Sequence, residues 1–342
     1  DLDIEKFTVF SENARFVEMT DKGEVALPLP DIQLWRGTVR GDVDSKVYIA
    51  LTATSAQGFI STRGETFIIS SGENGDLPTL IFGSNSEAAS RINVADHPCS
   101  GALFNPEDNE PVRPNTDEFA QERGNFVCKR FNIAVDTDNE FRNRFASTAA
   151  AQNYLAVLMG AVSEIYQRDV NILLKVPFAR IWTTPDPWTA TSTGAQLDQF
   201  VSYWSQNEGS VQRDLAHFLS MRGLGGGIAY LRATCTGFGY GVSANLAGSF
   251  PYPLVDHHGN NWDVNVVAHE LGHNFGTGHT HESSWYNPII DGCGIGDCSQ
   301  AFALGSIMSY CHTCSGGMTN ITLDFSPRVE NTIRGWVDGG AS

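Results

Sequence analysis

The segment Val266-Val267-Ala268-His269-Glu270-Leu271-Gly272-His273-Asn274-Phe275-Gly276-Thr277-Gly278-His279 carries three histidines and one glutamate within eleven residues. His269 and His273 stand four residues apart, so a helix would place both imidazoles on one face, one turn apart. Gly276 can adopt the left-handed backbone that ends a helix, and the following turn can bring His279 back toward the first two rings. The stretch therefore predicts a half-buried helix and a tight turn that gather three histidines.

Three neutral imidazoles that converge from one side suit a tetrahedral zinc ion with one position left for water. Glu270 follows the first histidine directly, where a carboxylate can act as general base on that water. The motif thus predicts His269, His273 and His279 as zinc ligands and Glu270 as the catalytic base. The alternative is an ordinary helix that carries unrelated histidines, which does not account for the added Gly276 and His279 at this spacing.

Length and charge narrow the class of protein. The chain has 342 residues, enough for about two domains, and 41% hydrophobic residues, which fits globular packing. A net charge of −17 argues against nucleic acid or an anionic membrane as partner. No apolar run reaches the roughly 18 residues of a membrane span. An acidic surface is compatible with calcium binding, but no calcium-loop motif supports it.

Cysteine content points to an oxidising compartment. The chain begins at Asp1 without a basic and apolar leader, as expected of a processed secreted protein. Seven cysteines are present, an odd number, so at least one is left without a partner within the chain. They stand at Cys99, Cys128, Cys235, Cys293, Cys298, Cys311 and Cys314. We therefore expect an extracellular protein with disulfide bonds.

Patterning divides the chain into two domains and a connector. Residues 1–104 are predicted to be all-β, with a sandwich-like pair of sheets, because β-branched and aromatic runs alternate with short turn clusters. Residues 105–124 are polar and rich in Pro and Asn, which predicts an exposed linker. Arg113 or Arg123 in it could mark a processing site, or the segment could be a plain connector.

Residues 125–342 show a different pattern. Strand-like and helix-like segments alternate up to the His269 helix, which predicts an α/β domain with a largely parallel sheet. Among them, the spacing of Leu215, Phe218 and Leu219 predicts a short helix. After Gly276 the chain is rich in Gly, Cys and Asn, which predicts an irregular subdomain held by disulfides.

A second motif, Gly305-Ser306-Ile307-Met308-Ser309-Tyr310, follows the histidine motif. The two motifs together resemble the metzincin metallopeptidases. In that clan a tight turn places a methionine beneath the metal, and Met308 matches it; the competing interpretation is that Met308 simply fills the core. Tyr310 matches a tyrosine that astacin- and serralysin-like members place near the zinc, where it can bind the metal or the reacting oxyanion.

Within the clan, residues 125–342 are most similar to the adamalysin, or reprolysin-like, branch. The similarity includes Gly227-Ile228-Ala229-Tyr230, followed closely by Cys235. It implies a metzincin catalytic domain whose peptide substrate binds extended along the edge strand near Gly227–Tyr230. Thr280 departs from the branch, which usually has an acidic residue after the third histidine.

The resemblance also gives a role to the first 104 residues as a pro-domain. Relatives are kept latent by a pro-region cysteine whose thiolate fills the open zinc position, and Cys99 is the candidate for this switch. Six cysteines would then remain for three bridges in the catalytic half. The competing hypothesis pairs Cys99 with Cys128 and leaves another cysteine free.

The sequence as a whole predicts a secreted zinc metalloendopeptidase, synthesised as a zymogen that its own pro-region inhibits. Zinc would lower the pKa of its water, and Glu270 would take the proton and pass it to the leaving amine. A catalytically dead metzincin scaffold used for binding or adhesion is the main alternative, although the intact Glu270 argues against it. A zinc hydrolase of non-peptide substrates is a further one.

Overall fold

The computed structural model describes residues 1–53, 55–71, 78–83, 129–251 and 254–339, and within them the strands form two sheets. The predicted linker at 105–124, Cys99 and Cys128 lie outside the described residues, so the domain boundaries stay predictions. In its described part, the N-terminal region is all-β and the C-terminal region mixes helices and strands, as the sequence predicts.

The N-terminal region contains eight described strands. They are β1 (Leu2–Phe7), β2 (Phe10–Thr20), β3 (Gly23–Leu27), β4 (Gln33–Val39), β5 (Asp42–Leu51), β6 (Ala56–Thr62), β7 (Glu65–Ser70) and β8 (Leu80–Gly83). Six of them form an antiparallel sheet in the order β1-β4-β5-β6-β7-β8. The hairpin β2–β3 leaves this sheet and joins the second one.

The second sheet is the framework of the C-terminal region. Its own strands are β9 (Lys129–Thr137), β10 (Ile172–Trp182), β11 (Leu215–Leu219), β12 (Gly227–Ala229) and β13 (Tyr240–Ser243). The order is β12-β13-β11-β9-β10-β2-β3, parallel from β13 through β2 and antiparallel at both edges. The prediction of a largely parallel sheet is confirmed.

Helices cover both faces of this sheet. They are α1 (Asn139–Asn143), α2 (Thr148–Val170), α3 (Thr193–Asn207), α4 (Trp262–Asn274), α5 (Ala301–Leu304) and α6 (Pro327–Gly339). The long helix α2 begins because the Ser147 side chain accepts the Ala150 amide, and it ends at Asn171 in the left-handed conformation. Helices α2 and α4 share one apolar core with the sheet, and α3 packs into a second core on the opposite face.

The predicted sandwich-like pair of sheets within residues 1–104 is wrong in one respect. Strand β2 carries Phe16 into the core shared by α2 and α4, and Val17 into the core on the α3 face. A strand that is apolar on both faces belongs inside a covered sheet. The hairpin therefore lies beside β10, where Phe16 and Val17 are buried, and of the described N-terminal strands the remaining six form a separate sheet.

A second correction concerns Leu215–Leu219, predicted as a short helix and found as the buried strand β11. A run of five mostly apolar residues is too short to show a period that separates helix from strand. It is a central strand between β13 and β9, which explains why all five residues, including His217, are buried.

Between Gly276 and α6 the chain is largely irregular and held by disulfides, as predicted, but the prediction missed the helix α6 itself. Cys293 pairs with Cys311 and Cys298 with Cys314, around short 3-10 turns at Cys293–Ile295, Cys311–Thr313 and Gly317–Asn320. Among the described cysteines, Cys235 has no disulfide and is exposed. Because Cys99 and Cys128 lie outside the described residues, the choice between the two pairing hypotheses stays open.

Candidate metal centre

Helix α4 holds the first two histidines rigidly at the sheet. His269 and His273 are only 6% and 4% exposed. The Tyr166 hydroxyl of α2 donates to the carbonyl of Ala268 at 2.9 Å, and the Asn274 amide donates to the carbonyls of Tyr230 and Tyr240 at 2.8 and 3.0 Å. The helix that presents the histidines is thereby fixed to the core on one side and to the sheet edge on the other.

A sharp turn after α4 returns the chain to the histidines. Gly276 has a φ of +96°, and a Cβ there would lie 2.7 Å from Cγ of Trp336, so only glycine fits. His279 then approaches the first two rings, with centroid separations of 5.2 Å to His269 and 4.6 Å to His273. One potential ligand atom from each of the three rings lies within 4.8 Å of the others. The turn thus gathers the three histidines that the motif singles out.

In each of the three rings, Nδ1 donates a hydrogen bond to a nearby oxygen. His269 Nδ1 donates to the carbonyl of Ile307 at 2.7 Å, and His273 Nδ1 donates to that of Thr277 at 2.9 Å. His279 Nδ1 donates to a carboxylate oxygen of Glu282, also at 2.9 Å. Because these acceptors hold the proton on Nδ1, the lone pair of each ring is left on Nε2.

Electrostatics favour neutral rings at this site. Burial lowers the pKa of all three histidines, well below the usual value for His269 and His279, and the proximity of the rings to one another lowers these two further. Neutral imidazole is the form that binds a metal. Three neutral nitrogen donors with fixed tautomers are a donor set that zinc prefers, so the residues fit this ion.

Glu270 lies between α4 and the edge strand β12. It is 4% exposed, and a Cβ on Gly227 would come within 2.3 Å of its Oε1. A side chain at position 227 would therefore displace the carboxylate. The glycine therefore leaves room for the Glu270 carboxylate beside the edge strand.

Met308 lies beneath α4 and is fully buried. A Cβ on Gly272 would be 2.6 Å from its sulfur, so the glycine allows the methionine to pack closely against α4. Thr280 ties the two motifs together, because its amide and its hydroxyl both donate to the carbonyl of Met308 at 3.1 Å. The residue that departs from the adamalysin pattern thus anchors the third histidine to the methionine turn.

Tyr310 and two further histidines form one wall of the site. The Tyr310 ring lies 4.5 Å from the ring of His279 and 4.8 Å from that of His281, centroid to centroid. His312 lies 5.8 Å from Tyr310, and burial lowers its pKa to about 4. Neither His281 nor His312 belongs to the two sequence motifs, yet the fold brings both to Tyr310.

Glu282 is the residue of this site that the sequence reasoning misses. Besides accepting from His279 Nδ1, it accepts the backbone amide of the same residue at 3.1 Å. The only signal in the sequence is an acidic residue three positions after His279, and no general motif includes it. Cys99, the remaining predicted metal-site residue, lies outside the described part of the chain.

The family match agrees with this geometry, whereas the match to a solved structure is weak. One solved structure, described as "Structure of a chaperone-substrate complex", aligns with 17% identity and a TM-score of 0.35, over 46% of this chain and 25% of that one. This chain therefore spans about a quarter of the length of that solved chain, and so weak a superposition does not indicate a shared fold. Among the described residues no helix is both long and apolar enough to cross a membrane. The family model Reprolysin_5, described as metallo-peptidase family M12, matches residues 128–323, more than half of the chain. The chain therefore belongs to metallo-peptidase family M12.

Proposed function

We propose that the protein is a secreted zinc metalloendopeptidase of the reprolysin-like branch, made as a latent zymogen. The observation that carries this proposal is the convergence of three neutral histidines with Glu270 beside them. Membership of a metallopeptidase family supports a peptide substrate. The two disulfides support an oxidising, extracellular location.

His269, His273 and His279 would hold the metal through Nε2, and Met308 would form an apolar floor. When bound, zinc supplies a Lewis acid that polarises the scissile carbonyl and acidifies water. Glu270 takes a proton from the attacking water and delivers it to the leaving amine as the C–N bond breaks. Tyr310, whose ring borders that of His279, donates a hydrogen bond to the oxygen on which negative charge develops.

The substrate peptide would lie along β12. This strand is at the edge of the seven-stranded sheet in the described chain, and it pairs with β13 alone. An extended peptide can add to such an edge through backbone hydrogen bonds. Because Gly227 opens this strand beside the Glu270 carboxylate, a bound peptide would run past the base.

Latency is assigned to Cys99. A soft thiolate binds zinc well and would occupy the position that the attacking water needs. In this proposal the intact chain is inactive until Cys99 is removed from the metal.

The decisive experiment is proteolysis of a generic unfolded protein by the chain with Cys99→Ala, which removes the proposed inhibitor. We expect activity that a chelator abolishes and zinc restores. Glu270→Gln, a variant of the same shape without the basic carboxylate, should bind zinc equally and lose at least about a hundredfold in rate. If the Gln variant were as active as the parent carrying Glu270, the assignment of Glu270 as the general base would be wrong. Zinc binding with no proteolysis in either variant would instead favour a binding protein on a metzincin scaffold.

A further inference from the structure

The N-terminal strands occupy the end of the seven-stranded sheet away from the histidines. β2 pairs with β10 in parallel, with Phe16 opposite Ala179 and Val17 opposite Arg180. The proposed substrate edge, β12, is at the other end of the same sheet. The described N-terminal strands therefore complete the catalytic sheet without covering the candidate metal centre.

Strand β10 needs a hydrogen-bonding partner on the side opposite β9, where β2 lies. Both of its faces are covered, since Leu174 and Val176 lie in the α2 core and Phe178 lies in the α3 core, all about 1% exposed. Buried backbone amides and carbonyls must be hydrogen-bonded. Val9 and Met19 supply carbonyls at the two ends of this pairing, accepting the amide of Val176 at 2.6 Å and that of Thr183 at 3.1 Å.

The six-stranded sheet adds a second contact, on helix α2. Leu34 and Tyr48, 1% and 2% exposed, belong to the same apolar core as the residues of α2 and α4. Helix α2 has a glycine, Gly160, where they meet it: a Cβ there would lie 2.6 Å from the Tyr48 hydroxyl and 3.1 Å from Cδ1 of Leu34. Glycine inside a helix is unfavourable, so its presence under Tyr48 indicates a surface shaped for the N-terminal region.

The apolar contact of Leu34 and Tyr48 with Gly160 is called the seam below, and polar contacts lie beside it. Arg36 lies 3.8 Å from Glu164 of α2, and the side-chain amide of Gln152 donates to the carbonyl of Pro28 at 3.1 Å. The family model covers residues 128–323 and so includes neither β2 nor β3. The matched region thus leaves open one edge of its sheet, which residues 10–27 close.

We propose that the mature enzyme is a two-chain molecule in which the N-terminal region stays bound after the linker is cut, as a permanent structural subunit. The cut itself rests on the proposed function, whereas the association of the two pieces does not, because the contacts that hold them lie at the end of the sheet away from the histidines. Cutting the chain within 105–124 would break one peptide bond and leave the contacts of β2, Leu34 and Tyr48 in place.

The test uses the full chain with a site-specific protease sequence inserted between Pro114 and Asn115. Cys99→Ala is present throughout, so that neither a disulfide to Cys128 nor a thiolate–zinc bond can link the two pieces. A chelator is added, which makes the result independent of metal and activity. After cutting, we expect both pieces to co-elute in gel filtration at about 1 μM. Separation of two folded or aggregated pieces at that concentration would overturn the proposal.

A matched pair of substitutions tests the seam itself. Gly160→Ala improves the helix but places a methyl against Tyr48, so it should raise the dissociation constant of the cut protein about tenfold or more. Adding Tyr48→Phe removes the hydroxyl that the methyl meets, and should restore binding to within about threefold of the parent. Glu12→Ala, at an exposed position of β2, is the control and should change nothing. If Gly160→Ala has no effect on association, the seam does not hold the subunit.

Discussion

The carboxylate of Glu282 accepts a hydrogen bond from Nδ1 of His279 at 2.9 Å, whereas Nδ1 of His269 and of His273 donates to backbone carbonyls. The third histidine is thus the one among the three whose ring is oriented by a charged side chain. A carboxylate in this position fixes the tautomer and makes the opposite nitrogen a better ligand.

Glu282→Gln should therefore weaken zinc binding about 10- to 100-fold, since the negative charge is lost while an acceptor oxygen is kept. Competition with a chromophoric chelator measures this affinity directly. The cobalt-substituted protein should also change its visible spectrum, because the ligand field at His279 changes. An unaltered zinc affinity would show that Glu282 only shapes the loop.

Gly227→Ala should reduce kcat/KM about a hundredfold while zinc affinity stays within a factor of about three, because the new methyl displaces the Glu270 carboxylate. Steady-state kinetics on a peptide substrate, with zinc titration in parallel, separates the two effects. Ala229→Gly on the same strand is a control for strand flexibility. Full activity of Gly227→Ala would mean that Glu270 works from another position.

Cys99→Ala should raise the activity of the intact, uncut chain, since no thiolate then competes with water at the metal. The rise should be at least about tenfold, the range expected for removal of a bound inhibitor. Cys235→Ala, at the exposed cysteine without a disulfide, is the matched control. Unchanged activity together with a Cys99–Cys128 disulfide found by mass spectrometry would exclude the switch.

His217 should make the protein sensitive to acid. Its ring is fully buried on β11 and hydrogen-bonds Ser243 at 2.8 Å, and burial lowers its pKa from 6.5 to about 3. The unfolded chain therefore takes up a proton near pH 6.5 that the folded chain refuses, so stability is full above that pH and falls below it.

Between pH 7 and pH 5 this single group should cost about 2 kcal/mol of unfolding free energy. Urea denaturation of metal-free protein at the two pH values measures the loss, and His217→Gln should lose that much less. The other histidines titrate in both proteins and cancel in the comparison. Equal losses in the two proteins would place the His217 pKa near its ordinary value.

The sequence predicts the gathering of the three histidines better than it predicts the sheet. The spacing from His269 to His279 defines one local turn of chain, so the helix, the glycine turn and the gathered rings follow from it. The sequence reasoning misses Glu282 because a single acidic residue on a loop forms no recognisable pattern with its neighbours. The position of β2 is missed for a different reason. Its partner β10 is distant in sequence, and the residues of an apolar strand do not indicate which strand it pairs with.

Elemental analysis shows whether His269, His273 and His279 together hold one zinc ion. Protein purified without added metal and dialysed against metal-free buffer should contain about one zinc per chain, and His273→Ala should contain almost none. The disulfides and the far-UV circular dichroism of the variant should stay as in the parent, which shows that the fold is kept. Absence of stoichiometric zinc or any other transition metal from the parent protein would contradict the account.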